Sequence, residues 1–244
     1  MVDISEQLNR PGAWPVTLLF GPLALNFDST AFAEIRRSII NNDNHTWIME
    51  VLSQLPQQWK TITTAIPSLY QSTGLGQIQD LADVLLSEQE LATAFPLPNK
   101  MLIPLIVISH LIQYTTFLEQ TRIELDNRAD AFAGKKANQE TLGFCTGILS
   151  AIAVSSTESR EQFIQYGAVA VRLAMLVGMV VDAQDAKSDA SPSRSLSVAW
   201  NTTTGHEEVL RILEEVPEVR DPASLNLAPC RGNNTWADIY FCQL

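Results

Sequence analysis

LGFCTGI, at Leu142–Ile148, is the stretch that decides how this sequence is interpreted. Its Gly-x-Cys-x-Gly pattern has the form of a nucleophile elbow, a sharp turn between a strand and a helix, with cysteine in place of serine. Gly143 and Gly147 supply the small residues that such a turn needs on both sides. Unpaired N–H groups and the positive dipole end of the following helix would favour a thiolate and an oxyanion there. The pattern predicts that Cys145 is a nucleophile; the alternative is a buried structural cysteine at a glycine-flanked helix start.

The segments before the elbow predict one short strand and several helices. VTLLF at Val16–Phe20 is short, apolar and β-prone and ends at a Gly-Pro turn signal, which indicates a buried strand. Asp28, with the next two residues, offers an N-cap for a helix whose apolar residues recur every three or four positions. Pro104 is expected in the first turn of a buried helix that continues over Leu105–Gln120. Further helical patterns cover residues 46–55, 57–65 and 77–94.

After the elbow, the apolar stretch ILSAIAV predicts a short buried helix. Ser155 and Glu158 have capping-box spacing and predict a long helix to about Asp182. A polar linker at residues 185–193 precedes a predicted strand at 195–200 and a short helix at 206–215, and the rest is expected to be irregular. The expected core positions of the long helix are Phe163, Ala170, Leu173 and Val177.

Composition and charge exclude several function classes. Hydrophobic residues make up 46% of the 244 residues, and 27 acidic against 16 basic residues give a formal charge of −11. That balance argues against binding to nucleic acid or to an anionic membrane surface. The apolar runs fall short of the ~20 residues that span a bilayer, and no signal-peptide pattern begins the chain, so we expect a cytoplasmic protein without membrane contact. Three scattered cysteines provide neither a disulfide framework nor a zinc site, and no metal is expected.

Two segments together resemble a known family. LGFCTGILSAIA at residues 142–153 and AVRLAMLVGMVVDAQD at Ala170–Asp185 resemble the starter-unit acyl-carrier-protein transacylase domain at the N-terminus of fungal non-reducing polyketide synthases. Weaker similarity continues through LLFGPLALNFD, PLIVISHLIQY and SLSVAWNTTTGHEEVLRIL, so it covers about residues 16–215.

The resemblance implies an α/β fold with two subdomains. Residues 1–190 would form a helix-rich, malonyl-transacylase-like large subdomain with an α/β-hydrolase-like core. Residues 191–220 would begin a ferredoxin-like small subdomain, and residues 221–244 would be an unmatched irregular tail. On this basis we expect a family member that is truncated within its small subdomain.

The resemblance also implies a reaction. Cys145 would take a starter acyl group from coenzyme A or a donor carrier protein and pass it to the phosphopantetheine thiol of a polyketide synthase's acyl carrier protein. The backbone N–H of Thr146 would stabilise the oxyanion. Acyl-coenzyme A or acyl-phosphopantetheine is then a substrate, and no bound cofactor is expected. Arg172 corresponds to an arginine that pairs with the substrate carboxylate in malonyl transferases; a structural ion pair on an apolar helix is its alternative.

Other functions stay open because the sequence departs from the family pattern at two places. Family members read FGDQ or similar after the first strand, where the glutamine helps to form the oxyanion hole, but here Pro22 and Leu23 follow Phe20-Gly21. The family's catalytic histidine lies beyond the small subdomain, and none of the three histidines, His45, His110 and His206, has its FHS-like context. His110 is expected to be a core or helix-face residue. The alternatives are a catalytically reduced interaction module and a non-functional fragment.

Overall fold

The computed structural model describes residues 17–21, 27–69, 74–87, 91, 93, 95–127, 140–185, 195–199, 211, 225–226 and 239–243. The chain divides into two compact units, Met1–Gln184 and Asp185–Leu244. The larger unit contains the elbow and is taken first.

The larger unit is a helix-rich α/β structure. Strands β1 and β2 pair in parallel, with Phe20 opposite Gly143. This confirms the α/β class, while the hydrolase-like core and the predicted subdomain boundaries stay predictions. The described elements are, in chain order, β1 (Thr17–Phe20), α1 (Ser29–Asn41), α2 (Thr46–Ala65), α3 (Leu75–Leu86), α4 (Asn99–Thr121), β2 (Glu140–Gly143), α5 (Gly147–Ser155) and α6 (Arg160–Asp185), with single 3₁₀ turns at Asp43–His45, Pro67–Leu69 and Leu125–Asn127.

The N-terminal helices follow from capping and from apolar periodicity. The predicted N-cap of α1 is confirmed, since Asp28 Oδ1 accepts hydrogen bonds from the backbone N–H groups of Thr30 and Ala31 at 2.9 and 3.0 Å. The prediction of two helices at 46–55 and 57–65 is wrong, because α2 is continuous and contains Pro56. Apolar residues on both sides of Pro56 belong to one buried stripe, and their burial outweighs the roughly 3 kcal/mol that an interior proline costs.

Helix α3 is shorter than the pattern over residues 77–94 predicts. It begins at Leu75 and ends at Leu86, because the backbone of Ser87 is extended (φ −131°, ψ −179°). Its apolar residues Ile78, Leu81 and Leu85 are fully buried.

Helix α4 is the central element of the larger unit and contacts α1, α3 and α5. It begins at Asn99, so Pro104 lies in its second turn rather than in the first. The helix starts this early because Asp182, near the end of α6, accepts hydrogen bonds from the backbone N–H groups of Asn99 and Lys100 at 2.9 and 3.1 Å. The last helical turn closes on Arg122, which adopts the left-handed conformation with φ 55°.

Helix α6 begins later than the sequence predicts. Ser155 still belongs to α5, and the Oγ of Ser159 accepts a hydrogen bond from the N–H of Gln162 at 3.3 Å, so the capping residue is Ser159. Phe163 is buried as predicted, but Leu173 and Val177 are 43% and 41% exposed, so their assignment to the core is wrong. They share one exposed apolar face of α6 with Val169 and Val180.

Two helices of the described chain have the length and composition of membrane-spanning segments, which the apolar run lengths did not suggest. They are α4 and residues 160–184 of α6. Within the fold, 72% of the apolar window of α4 and 44% of that of α6 is buried. Core helices of the kind that α4 represents pass the same test, so the feature is weak support for a membrane segment.

The smaller unit contains an antiparallel sheet in its described part. Strand β3 (Ser195–Ala199) confirms the predicted strand, and it pairs with β5 (Ile239–Gln243), which also pairs with β4 (Leu225–Asn226). The expectation of an irregular tail at 221–244 is therefore wrong, because two of these strands lie in it. The pairing is between distant segments and has no local sequence signal. The helix predicted at 206–215 lies outside the described residues except for Arg211, which is helical.

Candidate active site

The elbow joins the end of β2 to the start of α5. The backbone N–H of Phe144 donates to the carbonyl oxygen of Phe20 at 2.8 Å, which extends the parallel pairing by one residue. Cys145 follows with φ 52°, in the left-handed region that non-glycine residues occupy uncommonly and mainly at functional turns. Helix α5 begins two residues later, at Gly147. These residues have the strand–turn–helix geometry that a nucleophile elbow requires.

The two glycines of the motif are needed because the elbow is crowded. A Cβ on Gly143 would lie 2.7 Å from the Cβ of Ala151, on α5. A Cβ on Gly147 would meet the carbonyl group of Phe20, with the carbonyl carbon 2.6 Å away. Both distances are shorter than side-chain contacts allow, so β1, β2 and α5 approach one another this closely only because glycine occupies both positions.

Some backbone N–H groups of the turn donate hydrogen bonds within it, and others do not. The N–H of Gly147 donates to the carbonyl oxygen of Phe144 at 2.9 Å, and that of Ile148 donates to Cys145 at 3.1 Å. The N–H groups of Cys145 and Thr146 have no acceptor among the described residues. The amide of Thr146 directly follows Cys145, the position from which a nucleophile elbow donates to an oxyanion. The side-chain Oγ1 of Thr146 is buried and has no hydrogen-bond partner among the described residues.

Cys145 is a free, exposed cysteine. This contradicts the alternative of a buried structural cysteine. Two apolar residues near it in the sequence are also exposed, Phe144 at 40% and Ile148 at 51%.

His110, on α4, is a core histidine as predicted. It is 4% exposed, its Nδ1 lies 3.1 Å from the Oγ of Ser150, and its ring meets that of Phe20 edge-on with 5.5 Å between centroids. Burial lowers the pKa of His110 below its usual 6.5, and a hydrogen bond with the backbone of Gly21 partly offsets this effect. His110 therefore has structural partners that do not include Cys145.

The other histidines supply no base to Cys145 in the described chain. His45 is buried, with its Nε2 2.7 Å from the Oγ1 of Thr115 and its Nδ1 3.0 Å from the carbonyl oxygen of Ser38. His206 lies outside the described residues. In the described part of the chain, neither His45 nor His110 forms a hydrogen bond with Cys145.

Arg172 is directed at α2. Its Nη2 donates to the Oε1 of Gln54 at 2.7 Å, and its buried Nε has no hydrogen-bond partner among the described residues. No carboxylate of the described residues lies within ion-pair distance, and the structural ion pair stays a prediction. The role of Arg172 in substrate binding also stays a prediction.

Sequence reasoning missed the buried residues that connect the elbow to α4. Ser150 bonds His110 although the two are 40 positions apart, and Phe20 contacts both His110 and Gly147. The one available signal was a serine inside an otherwise apolar helix, since a buried hydroxyl needs a partner.

A cavity of about 440 Å³ lies elsewhere, between the C-terminal end of α4 and the starts of α2 and α6. Trp47, Arg122, Arg160 and Phe163 are among its lining residues, and no residue of the elbow is. The described residues contain no group of three His, Cys, Asp or Glu side chains placed to hold a metal ion.

Comparison with known proteins finds a family whose model spans the elbow. A family model described as starter unit:ACP transacylase in aflatoxin biosynthesis matches residues 18–226. The match extends past residue 215, where the similarity was expected to end, and into the segment that contains β4.

Individual relatives are fungal synthases. The chain is 49% identical over 201 residues to the non-reducing polyketide synthase dbaI of Emericella nidulans, which is 82% of this chain and 8% of that protein. It is 42% identical over 213 residues to the non-reducing polyketide synthase pigA of Monascus ruber, covering 87% of this chain and 8% of the synthase. It is 45% identical over 219 residues to 3-methylorcinaldehyde synthase of Phoma sp, covering 89% of this chain and 8% of that synthase.

The chain therefore spans about 8% of the length of these relatives. The family model nevertheless covers most of the chain, and the similarity includes the elbow, both parallel strands and the helices that pack around them. On these grounds the chain belongs to the starter unit:ACP transacylase family of fungal non-reducing polyketide synthases.

Proposed function

We propose that the chain transfers starter acyl groups through a thioester on Cys145. The observation that carries the proposal is the elbow itself: an exposed cysteine at φ 52°, between a parallel strand and a helix, followed by a Thr146 N–H that has no acceptor among the described residues. A starter-unit acyltransferase role also agrees with the family to which the chain belongs.

In the first half-reaction, the Cys145 thiol gives its proton to solvent, and the thiolate attacks the carbonyl carbon of an acyl-coenzyme A or a donor carrier protein's acyl-phosphopantetheine. The C–S bond to Cys145 forms as the carbonyl π electrons move to oxygen. Collapse of this tetrahedral intermediate breaks the C–S bond to the donor, whose thiolate leaves and takes up a proton from solvent. One thioester replaces another, so neither an oxidant nor a net energy source is needed.

In the second half-reaction, the phosphopantetheine thiolate of an acyl carrier protein attacks the acyl-Cys145 thioester, and Cys145 leaves as a thiolate. The tetrahedral intermediates in both directions carry negative charge on the former carbonyl oxygen. The Thr146 N–H, at the start of α5, supports the assignment of an oxyanion donor there. A single donor of this kind is worth roughly 10²–10³ in rate.

The environment of Cys145 favours an uncharged acyl chain. Phe144, directly before Cys145, and Ile148, three positions after it, expose apolar side chains. Arg172, the residue that would pair with a substrate carboxylate, donates instead to Gln54. Both features favour alkyl over carboxyl-bearing starter groups.

Transfer between thiols tests the proposal. The chain is incubated with butyryl-coenzyme A and a holo acyl carrier protein, and the mass of the carrier is followed over time. We expect the carrier to gain one butyryl group much faster with the wild-type chain than without it. Cys145→Ala should abolish the acceleration, whereas Cys242→Ala, the matched cysteine control in β5, should retain it. Equal rates with wild type and Cys145→Ala would refute the proposal.

A second candidate function is docking without transfer. Its motivation is that His45 and His110 are bound elsewhere, so the described residues give Cys145 no base. A docking module would bind the holo carrier protein with an affinity that Cys145→Ala leaves unchanged, and it would accelerate no transfer. The same incubation separates the two functions.

A further inference from the structure

We propose that His110 is a positioning residue for acyl transfer, which sets the end of β1 against the helix that carries the elbow. The proposal rests on the proposed function, because it assigns a role in forming the oxyanion site of that reaction. His110 itself does not touch the reacting atoms.

The first contact joins His110 to α5. Its Nδ1 lies 3.1 Å from the Oγ of Ser150, and both residues are almost completely buried, at 4% and 0% exposure. Ser150 lies on the same nine-residue helix that begins directly after the Cys145–Thr146 turn. A displacement of His110 relative to Ser150 therefore displaces the helix that presents the nucleophile.

The second contact joins His110 to the end of β1. Its ring packs edge-on against the ring of Phe20, with an interplanar angle of 63°. The backbone of the next residue, Gly21, is also a hydrogen-bond partner of the imidazole. Phe20 in turn accepts the N–H of Phe144 and leaves no room for a side chain at Gly147. His110 thus packs against the junction at which β1 meets the elbow.

An imidazole fits this place because it has two different polar edges. A neutral histidine has one donor and one acceptor nitrogen, which can serve the Ser150 hydroxyl and a backbone carbonyl at once. Burial disfavours the charged form, so His110 remains neutral in this role. An apolar residue of similar size would leave both partners unpaired inside the core.

The bridge matters for catalysis because Cys145 and the proposed oxyanion donor both lie directly before α5. The donor is the N–H after the nucleophile, here that of Thr146. His110 contacts Ser150 on α5 and Phe20 at the end of β1, so it sets the position of the start of α5 against β1. A misplacement of about 1 Å can cost around 10²-fold in rate.

Two reactions of the same thiol distinguish positioning from a general structural role. Acylation of Cys145 by butyryl-coenzyme A needs the oxyanion site, whereas alkylation by iodoacetamide needs only the accessible thiolate. We expect His110→Leu to slow acylation by roughly 10- to 100-fold while alkylation changes less than about twofold. His110→Asn, which keeps a donor and an acceptor, should recover part of the acylation rate.

His45→Leu is the matched control, since His45 is a buried histidine that also bonds α4, through Thr115, but its other hydrogen-bond partner is Ser38 on α1 rather than a residue of β1 or α5. This variant should leave the ratio of the acylation rate to the alkylation rate unchanged. If His110→Leu does not fold, Ser150→Ala removes only one partner hydroxyl and should still slow acylation several-fold more than alkylation.

Unchanged acylation in His110→Leu or, if that variant does not fold, in Ser150→Ala, overturns the positioning role. An equal loss of acylation and alkylation in that variant does the same, because it indicates general disruption. Absence of acylation in the wild type is a different result: it contradicts the proposed function and removes the positioning role with it.

Discussion

At the scale of single residues, the elbow was the part of the site that the sequence could predict. Its requirement is local: Gly143 and Gly147 flank the nucleophile position because a Cβ at either would meet neighbouring backbone or Ala151. The role of His110 could not be predicted in this way. Its partner Ser150 is 40 positions away, and no short pattern shows which helix face meets which.

The crowding at Gly147 leads to a prediction about stability. Gly147→Ala should lower the free energy of unfolding by about 1–3 kcal/mol or more, because the new methyl group meets the carbonyl group of Phe20. Gly76→Ala, in α3, is the control: a Cβ there meets nothing within 4 Å, and alanine should leave stability unchanged or raise it by up to about 1 kcal/mol. Urea unfolding measures both, and equal effects would contradict the crowding.

The buried imidazole of His110 leads to a prediction about pH. Its pKa is lowered in the folded state, so below pH 6.5 the unfolded chain binds the proton more readily than the folded chain does. His110 should therefore cost no stability above about pH 6.5 and up to about 1.4 kcal/mol for each pH unit below it, until the folded-state pKa is reached.

Urea unfolding of wild type and His110→Asn at pH 7.5 and 5.5 measures this effect. The wild type should lose more stability between the two pH values than the variant, which lacks the titrating group. If the difference in unfolding free energy between wild type and variant is the same at both pH values, this would contradict a lowered pKa of His110.

At the scale of secondary-structure elements, apolar periodicity predicted where helices exist but not where they end. The continuous α2 passes through Pro56, and α6 begins after Ser159 rather than at Ser155. Burial of the apolar stripe keeps α2 continuous, and the cap at Ser159 sets the start of α6. The start of α4 was missed because its cap comes from α6, through Asp182.

This cap leads to a prediction about Asp182. The carboxylate accepts the N–H groups of Asn99 and Lys100 and lies 3.8 Å from the Lys100 ammonium, in a half-buried place. Asp182→Ala should lower the free energy of unfolding by about 1–3 kcal/mol. Asp182→Asn keeps one acceptor oxygen and should cost less. Asp83→Ala, at an exposed position of α3, should change stability by less than about 0.5 kcal/mol, and a similar loss there would argue against the cap.

The exposed apolar face of α6 leads to a comparison of two valines on one helix. Val171 is 0% exposed and Val177 is 41% exposed. Val171→Ala should cost roughly 1–3 kcal/mol through lost burial and a cavity. Val177→Ala should cost less than about 0.5 kcal/mol, because little burial is lost and alanine favours a helix. Chemical denaturation of the two variants checks this, and equal losses would mean that Val177 is covered in solution.

At the scale of the whole molecule, the family and the α/β class followed from the sequence, while the arrangement of distant segments did not. The motif around Cys145 and the α6 segment were specific enough to identify the family. The strands at 225–226 and 239–243 were missed because their pairing is not local: 239–243 pairs both with 225–226 and with Ser195–Ala199. Likewise, the contact of Arg172 with Gln54 joins two helices whose packing no local pattern encodes.

The central claim is that Cys145 forms a covalent acyl thioester. Its most direct test is the intact mass of the chain after incubation with butyryl-coenzyme A, followed by treatment with neutral hydroxylamine. The wild type should gain the mass of one butyryl group, which hydroxylamine removes, and Cys145→Ala should gain none. A wild-type chain that gains no mass, or a Cys145→Ala chain that gains the same mass, would contradict the account.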